Sequence, residues 1–374
     1  MTHRFALGKY RKVLVLYVGG TIGMQRNNEG VFIPVPNTFL QKLKEDSEMH
    51  DPLHASKYFR DCKENELVLP SSYGHDTIIY QIIEYTPLLD SSNMTSKDWI
   101  RIARDIKLHY DTFDGFIVLH GTDTLAYTSS ALSFMFDSLK KPVVITGAQI
   151  PIFERRADAK ENFLTSLIIA AYYDIPEVCV FFANKLFRGN RIVKVSSNEL
   201  DAFSSPNYHT LADIGVDVKV NHHYIRKTDD SIPFKLFDDL NQNVAMLTLF
   251  PTITCEMLNS FLECSLKGIV IQSYGSGNIP SKRNDLLSVF KKAVEKEMLI
   301  VNITQCSRGS VHASYEPGKV FKDIGIICGR DMTAEAALTK LAYVLALPGL
   351  SFQQRVQMMK TDLRGEMSVN VEDF

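Results

Sequence analysis

Short, almost unbroken apolar runs recur along the chain, at residues 13–18, 115–120, 142–147, 177–183, 244–250, 267–272 and 298–303. Runs of this length without polar alternation predict strands covered on both faces, as in parallel sheets flanked by helices. Between them the spacing turns helical. Thr95 followed by Asp98 predicts a capped helix start, and Trp99, Ile102, Ala103 and Ile106 fall on one face of that helix. Asp114-Gly115 then turns the chain into the next run, and 129–139 reads as the helix that follows it. A last helix is predicted over 334–346, opened by Thr333 and stopped at Pro348-Gly349. This alternation predicts two α/β domains. Periodicity fails only at 221–243, where His222-His223 and Asp229-Asp230 sit among other polar residues. The domains are therefore placed at 1–225 and 244–374, with a linker at 226–243.

Two of the runs end in glycine- and threonine-bearing loops: Gly19-Gly20-Thr21-Ile22-Gly23 and His120-Gly121-Thr122-Asp123-Thr124. Both loops fall at the carboxyl edge of the predicted sheet, where open α/β sheets bind ligands. Size and composition narrow the classes that fit. A length of 374 residues suits two domains with a large core. A formal net charge of −2 supplies neither a basic field for nucleic acid nor a polybasic patch for membranes. No run approaches a membrane span, and residues 1–12 are polar and basic without the apolar length of a signal peptide. Six cysteines are scattered without a Cys-x-x-Cys pair, which fits a reducing compartment. A cytoplasmic location is expected, with no nucleic-acid or membrane partner.

The first threonine loop lacks the lysine of a phosphate-binding loop, and Gly275-Ser276-Gly277 lacks the third glycine of a dinucleotide fingerprint. The histidines have no metal-ligand spacing, so neither cofactor nor metal is expected. What remains is hydrolytic acyl chemistry. A threonine hydroxyl needs a neighbouring base to become a nucleophile. Arg188-Gly189-Asn190-Arg191-Ile192-Val193-Lys194 offers a basic loop after another apolar run, and a lysine held beside Asp123 could serve as that base. Asp90-Ser91-Ser92 carries a carboxylate and two hydroxyls suited to an amino acid's ammonium and carboxylate groups. Each of these features also has a plain structural reading: Asp123 as a helix cap, Lys194 as a solvated charge, Asp90–Ser92 as a turn.

Taken together, Gly19–Gly23 with Met24-Gln25, His120–Thr124, Thr146–Pro151, Arg188–Lys194, Asp331–Ala336 and Leu363-Arg364-Gly365-Glu366 resemble the L-asparaginase family, in its bacterial-type, type I cytosolic branch. The resemblance covers essentially the whole chain. It implies a two-domain asparaginase-like fold, with a larger N-terminal α/β domain and a smaller flavodoxin-like C-terminal one. It also implies L-asparagine as substrate and a homodimer or homotetramer. Thr21 matches the first catalytic threonine; Thr122, Asp123 and Lys194 match the second catalytic set. Asp90, Ser91 and Ser92 match the substrate grip, with Gly20 and Gly121 beside them in the loops whose N–H groups would stabilise an oxyanion. Where many relatives carry a tyrosine after the first threonine, this chain reads Gly30-Val31-Phe32-Ile33-Pro34, so Tyr315 is assigned as the phenol that partners Thr21. Gln272 stands where allosteric members carry an arginine, which implies a weak or absent response to asparagine as effector.

Several readings stay open on sequence. They are a mixed asparaginase–glutaminase and a non-catalytic asparagine-binding or sensing protein; an amidotransferase subunit resembles the same family but normally carries an added N-terminal domain, which argues against that reading. Some animal relatives continue into ankyrin repeats and are linked to lysophospholipid hydrolysis, so this chain reads either as the catalytic portion of such a protein or as a short form. Acyl-enzyme formation and direct attack by water are equally compatible with the residues.

Overall fold

The computed structural model describes residues 10–58, 63–70, 76–311 and 316–368. Its larger sheet has nine strands. They are β1 (Tyr10–Gly19), β2 (Glu66–Val68), β3 (Thr77–Leu89), β4 (Gly115–Leu119), β5 (Val143–Thr146), β6 (Val178–Phe182), β7 (Lys185–Arg188), β8 (Ala212–Ile214) and β9 (Val218–Val220). They lie in the order β9-β8-β7-β6-β5-β4-β1-β3-β2. The central five, β3-β1-β4-β5-β6, are parallel, and antiparallel strands extend both edges.

Strand β1 shows why the apolar runs are continuous. Leu14, Leu16 and Val18 enter one core, while Val13, Val15 and Tyr17 enter another on the opposite face. On the first face lie α1 (Ser96–His109) and α2 (Leu125–Met135); on the second lies α3 (Ala159–Tyr172). The start of α1 is as expected: the Thr95 backbone N–H donates to Asp98 at 2.8 Å, and Ile102, Ala103 and Ile106 are buried. Helix α2 differs from its prediction, beginning four residues earlier and ending at Met135. The chain leaves it in extended form because Phe136-Asp137 pairs antiparallel with Lys235-Leu236. Residues of the 226–243 segment are therefore docked on the larger domain, where Phe234 also stacks on Tyr110 with ring centroids 3.9 Å apart.

The smaller sheet is parallel, with β10 (Val244–Thr248), β11 (Gly268–Ser273), β12 (Leu299–Thr304) and β13 (Ile327–Cys328) in sequence order. Helices α4 (Cys255–Leu262), α5 (Asn284–Glu295) and α6 (Glu316–Ile324) belong to this domain. After them, α7 (Ala334–Ala346) and α8 (Phe352–Lys360) close the chain. Helix α7 packs against α2, so Leu341 and Val270 share one core with Leu132 and Phe116.

Buried charges bind the same junction. Arg191 pairs with Asp331 at 2.6 Å and donates to the Gly365 carbonyl, also at 2.6 Å. Lys340, wholly buried, donates to Glu366 and to the Thr361 carbonyl. No helix among the described residues is long and apolar enough to cross a membrane.

Candidate active site

The parallel strands of the larger sheet run second-first-third-fourth-fifth in chain order, so the order reverses at β1. The crossover from β1 leaves to one side, toward β3, while the chain later returns on the other side as β4. That reversal opens a crevice at the carboxyl ends of β1 and β4. Thr21 follows β1 and Thr122 follows β4, so the two threonine loops flank the crevice.

The loops touch through backbone. Gly20, at φ 84°, lies so close to the second loop that a Cβ there would fall 2.3 Å from the Gly121 nitrogen. A Cβ on Gly121 would fall 2.6 Å from Ser91 Oγ, so only glycine permits the three loops to meet. Beyond Gly20, residues Thr21–Gly23 form a single 3₁₀ turn, and Met24 donates back to the Thr21 carbonyl at 3.1 Å. The next residues fold as a hairpin, Gln25-Arg26 against Phe32-Ile33, held by Arg26 Nε on Glu154 at 2.9 Å.

The third loop comes from the end of β3. Asp90 Oδ1 accepts from the Ser92 N–H at 3.0 Å, and Ser91 is buried. Thr124 Oγ1 donates to the Ser91 carbonyl at 2.7 Å, which ties this turn to the second threonine loop. Asp90, Ser91, Ser92, Gly20 and Gly121 are thereby brought to one corner with both threonines.

Lys194 arrives from across the sheet. Arg188 ends β7 beside Cys179, at the amino edge of β6, and the residues after it return along the strands to the carboxyl edge. There Lys194 Nζ donates to Thr122 Oγ1 at 2.8 Å and to Asp123 Oδ1 at 2.6 Å. Thr122 is buried, Lys194 keeps 20% of its side-chain exposure and Asp123 keeps 62%. Arg188 and Arg191, which belong to the same basic stretch, do not reach this corner: Arg188 holds Glu177 through two contacts, at 2.5 and 3.0 Å, and Arg191 holds Asp331.

Two residues of the corner carried no role in the sequence reading. Gln149, on the loop after β5, accepts from Thr122 Oγ1 at 3.5 Å and donates to the Glu199 carbonyl at 3.0 Å. Its own backbone N–H is fixed by Asp158 at 3.0 Å. His120 is fully buried, and burial pushes its imidazole down to about 4, so it is neutral at physiological pH. The Gly121 carbonyl, 2.7 Å from Nδ1, can only accept, so Nδ1 carries the proton and Nε2 accepts from Thr128 at 2.9 Å. His120 thus braces the Thr122 loop against α2. A strand-end position next to Gly-Thr-Asp was the available signal for it. Tyr315 lies outside the described residues. Gln272, in β11, accepts from Thr248 Oγ1 at 2.6 Å. No group of three or more metal-ligating side chains occurs among the described residues.

Family models described as Asparaginase, N-terminal, and Glutaminase/Asparaginase C-terminal domain match residues 12–226 and 243–359. The chain is 48% identical to a Dirofilaria immitis protein named L-asparaginase, over 96% of this chain and 60% of that protein. It is 44% identical to the human 60 kDa lysophospholipase, over 97% of this chain and 62% of that one. The chain therefore spans about three fifths of the length of these curated relatives. Among solved structures, L-asparaginase I from Vibrio cholerae superposes with a TM-score of 0.82 at 37% identity, covering 96% of this chain and 100% of that one.

Proposed function

The chain belongs to the asparaginase family, and we propose that it is an L-asparagine amidohydrolase, releasing L-aspartate and ammonia. The observation that carries this reading is Lys194 Nζ held between Thr122 Oγ1 and Asp123 Oδ1, both on a loop whose Gly121 lies against Gly20, the residue before Thr21. The chemistry follows from the positions. Thr21 Oγ1 attacks the side-chain amide carbon, backbone N–H groups of the glycine-bearing loops stabilise the oxyanion, and the hydroxyl's proton is passed to the amide nitrogen as the C–N bond breaks and ammonia leaves. Lys194 is the base within reach of the Thr122 hydroxyl, and the Asp123 carboxylate stabilises the ammonium formed when the proton moves. Thr122 with this pair activates the water that releases aspartate. Asp90 takes the substrate ammonium, while Ser91 and Ser92 take its carboxylate.

The name of the Dirofilaria relative and the superposition on a complete asparaginase chain support the same substrate. Homo-oligomer assembly and a cytoplasmic location complete the proposal, as does a weak effector response from Gln272. The test is ammonia release from L-asparagine and, in parallel, L-glutamine, for wild type, Thr21→Ala and Thr122→Ala. Asparagine turnover lost in both variants supports the proposal. Equal turnover of both amides would make the protein a mixed asparaginase–glutaminase. Folded wild-type protein without turnover would leave a binding protein, and sigmoidal asparagine kinetics would remove the assignment of Gln272.

A further inference from the structure

The opposite edge of the larger sheet carries a second cavity, of about 120 Å³. It lies where β6 begins, between the end of α2, residues 226–229 and the C-terminal segment at Arg364. A water takes up about 30 Å³ in the liquid, so the space exceeds what one or two waters fill. Its walls are dominated by charge. Arg188, Arg226, Lys227 and Arg364 line it, against Glu177, Asp137 and Asp229.

The carboxylates are already engaged. Glu177 accepts from Nε and Nη2 of Arg188 and from the Arg226 backbone N–H, the last at 2.6 Å. Asp137 sits 3.2 Å from Arg364. Asp229 is exposed and accepts from the Ser231 N–H and hydroxyl. The Arg226 guanidinium, by contrast, has a neutral partner, the Leu363 carbonyl at 3.1 Å. Burial pushes it below the usual arginine range; Glu177 and Asp362 oppose that shift, and the charges of Arg364 and Arg188 add to it. A cation drawn partly out of water and hydrogen-bonded only to a carbonyl, with its carboxylate neighbours shared among other cations, is incompletely compensated, and the planar guanidinium fork matches the oxygens of a tetrahedral or carboxylate anion.

We propose that this cavity is a binding site for a small oxyanion of phosphate size, with Arg226 as its counter-charge and Lys227 at its solvent-facing mouth. The site lies across the sheet from Thr21 and Thr122 and does not depend on the hydrolytic reading. An anion there joins the end of α2, the 226–229 segment and residues 361–368, the C-terminal strap, so binding reads out as stability.

The experiment is thermal unfolding of the full chain in potassium phosphate against potassium chloride at matched ionic strength. Phosphate at ten times its dissociation constant should raise the melting temperature by about 2 °C, saturably, and chloride should not. Arg226→Gln should abolish the rise. Lys227→Glu, at an exposed position that the fold tolerates, should raise the half-saturating phosphate concentration about fivefold. An equal rise in chloride, no rise in wild type, or a full rise retained in Arg226→Gln overturns the proposal. An unchanged half-saturation in Lys227→Glu overturns it as well, should Arg226→Gln not fold.

Discussion

Lys194 and Lys340 each hold a carboxylate, and they are built for opposite purposes. Lys340, in α7, is fully buried with Glu366 fully buried beside it. Its three N–H donors meet Glu366, the Met359 carbonyl at 3.2 Å and the Thr361 carbonyl at 2.6 Å. Glu366 in turn accepts from the Leu363 and Arg364 backbone N–H groups. Lys194 uses two donors, on Thr122 and Asp123, and keeps part of its surface in solvent beside a mostly exposed carboxylate. A saturated lysine in a dry site locks the C-terminal strap to the domain junction. A lysine with a donor and a face to spare can exchange a proton and meet a substrate. Burial and residual hydrogen-bonding capacity, rather than charge, separate the two roles.

The largest effect that tests this separation is on rate. Lys194→Met should lower kcat/KM for asparagine by about 10³-fold, the range of a lost general base, with the urea midpoint almost unmoved. A loss of stability without a loss of rate would reverse the assignment. Lys340→Met should do the opposite, costing about 3–5 kcal/mol in urea unfolding because Glu366 is left as a buried unpaired charge. The double variant Lys340→Met/Glu366→Gln should recover much of that loss. If it recovers none, the pair is not what the strap depends on.

Much of this was legible in the sequence, and the reasons for the gaps are physical. The apolar runs announced β1, β4, β5, β6, β11 and β12 because each strand buries both faces, as Leu14 and Val15 do, and announced β10 although its residues are only half-buried or exposed. Strand β3 escaped notice because half-buried Gln81 and Glu84 and exposed Thr86 and Pro87 interrupt its apolar residues. Small and hydroxyl residues at run ends located Thr21 and Thr122, since that placement depends on one strand at a time, whereas Asp90–Ser92 stood out only as a polar cluster before Thr95. Gln149 and the bracing role of His120 depend on which strands become neighbours, and no local pattern encodes β4 beside β5. Arg188 and Arg191 belong to the same basic stretch as Lys194, and spacing alone does not tell which of these cations reaches the site. Their partners Glu177 and Asp331 are set by the fold of distant segments, and those ion pairs hold them away.

A smaller effect probes the strap through pH. Burial and the neighbouring Glu366 charge raise the Asp362 carboxyl to about 6. Glu366 is itself pushed up by burial, but Lys340 and the Asp362 hydrogen bond outweigh this and hold it at about 2. The fold therefore favours protonated Asp362. Its contribution is complete below the ordinary carboxylate range near ~4 and is lost as pH rises through about 6. Glu366 contributes above the ordinary range and loses its contribution only as pH falls through about 2. Urea unfolding between pH 4 and 7 should show wild type losing on the order of 1–2 kcal/mol relative to Asp362→Asn, which is neutral throughout. Parallel curves for the two proteins would mean that Asp362 and Glu366 do not interact.

The smallest effect is that of salt, and it separates the lysines without altering either. At 1 M ionic strength the screening length falls to about 3 Å, comparable to a contact distance, but screening acts only where ions can approach. Asp123 is 62% exposed, whereas Lys340 and Glu366 are closed off entirely. Raising sodium chloride from about 0.05 to 1 M should therefore weaken the hold of Asp123 on Lys194 and lower kcat/KM by about two- to threefold. The penalty of Lys340→Met in urea should stay the same across that range. Screening of a charged substrate could mimic the first result, so Asp123→Asn is the decisive control: with the carboxylate gone, most of the salt dependence should go with it. If Asp123→Asn keeps the full salt dependence, the ions act on the approach of substrate and not on the lysine pair. The contrast between an open and a closed lysine would then rest on the hydrogen-bond geometry alone.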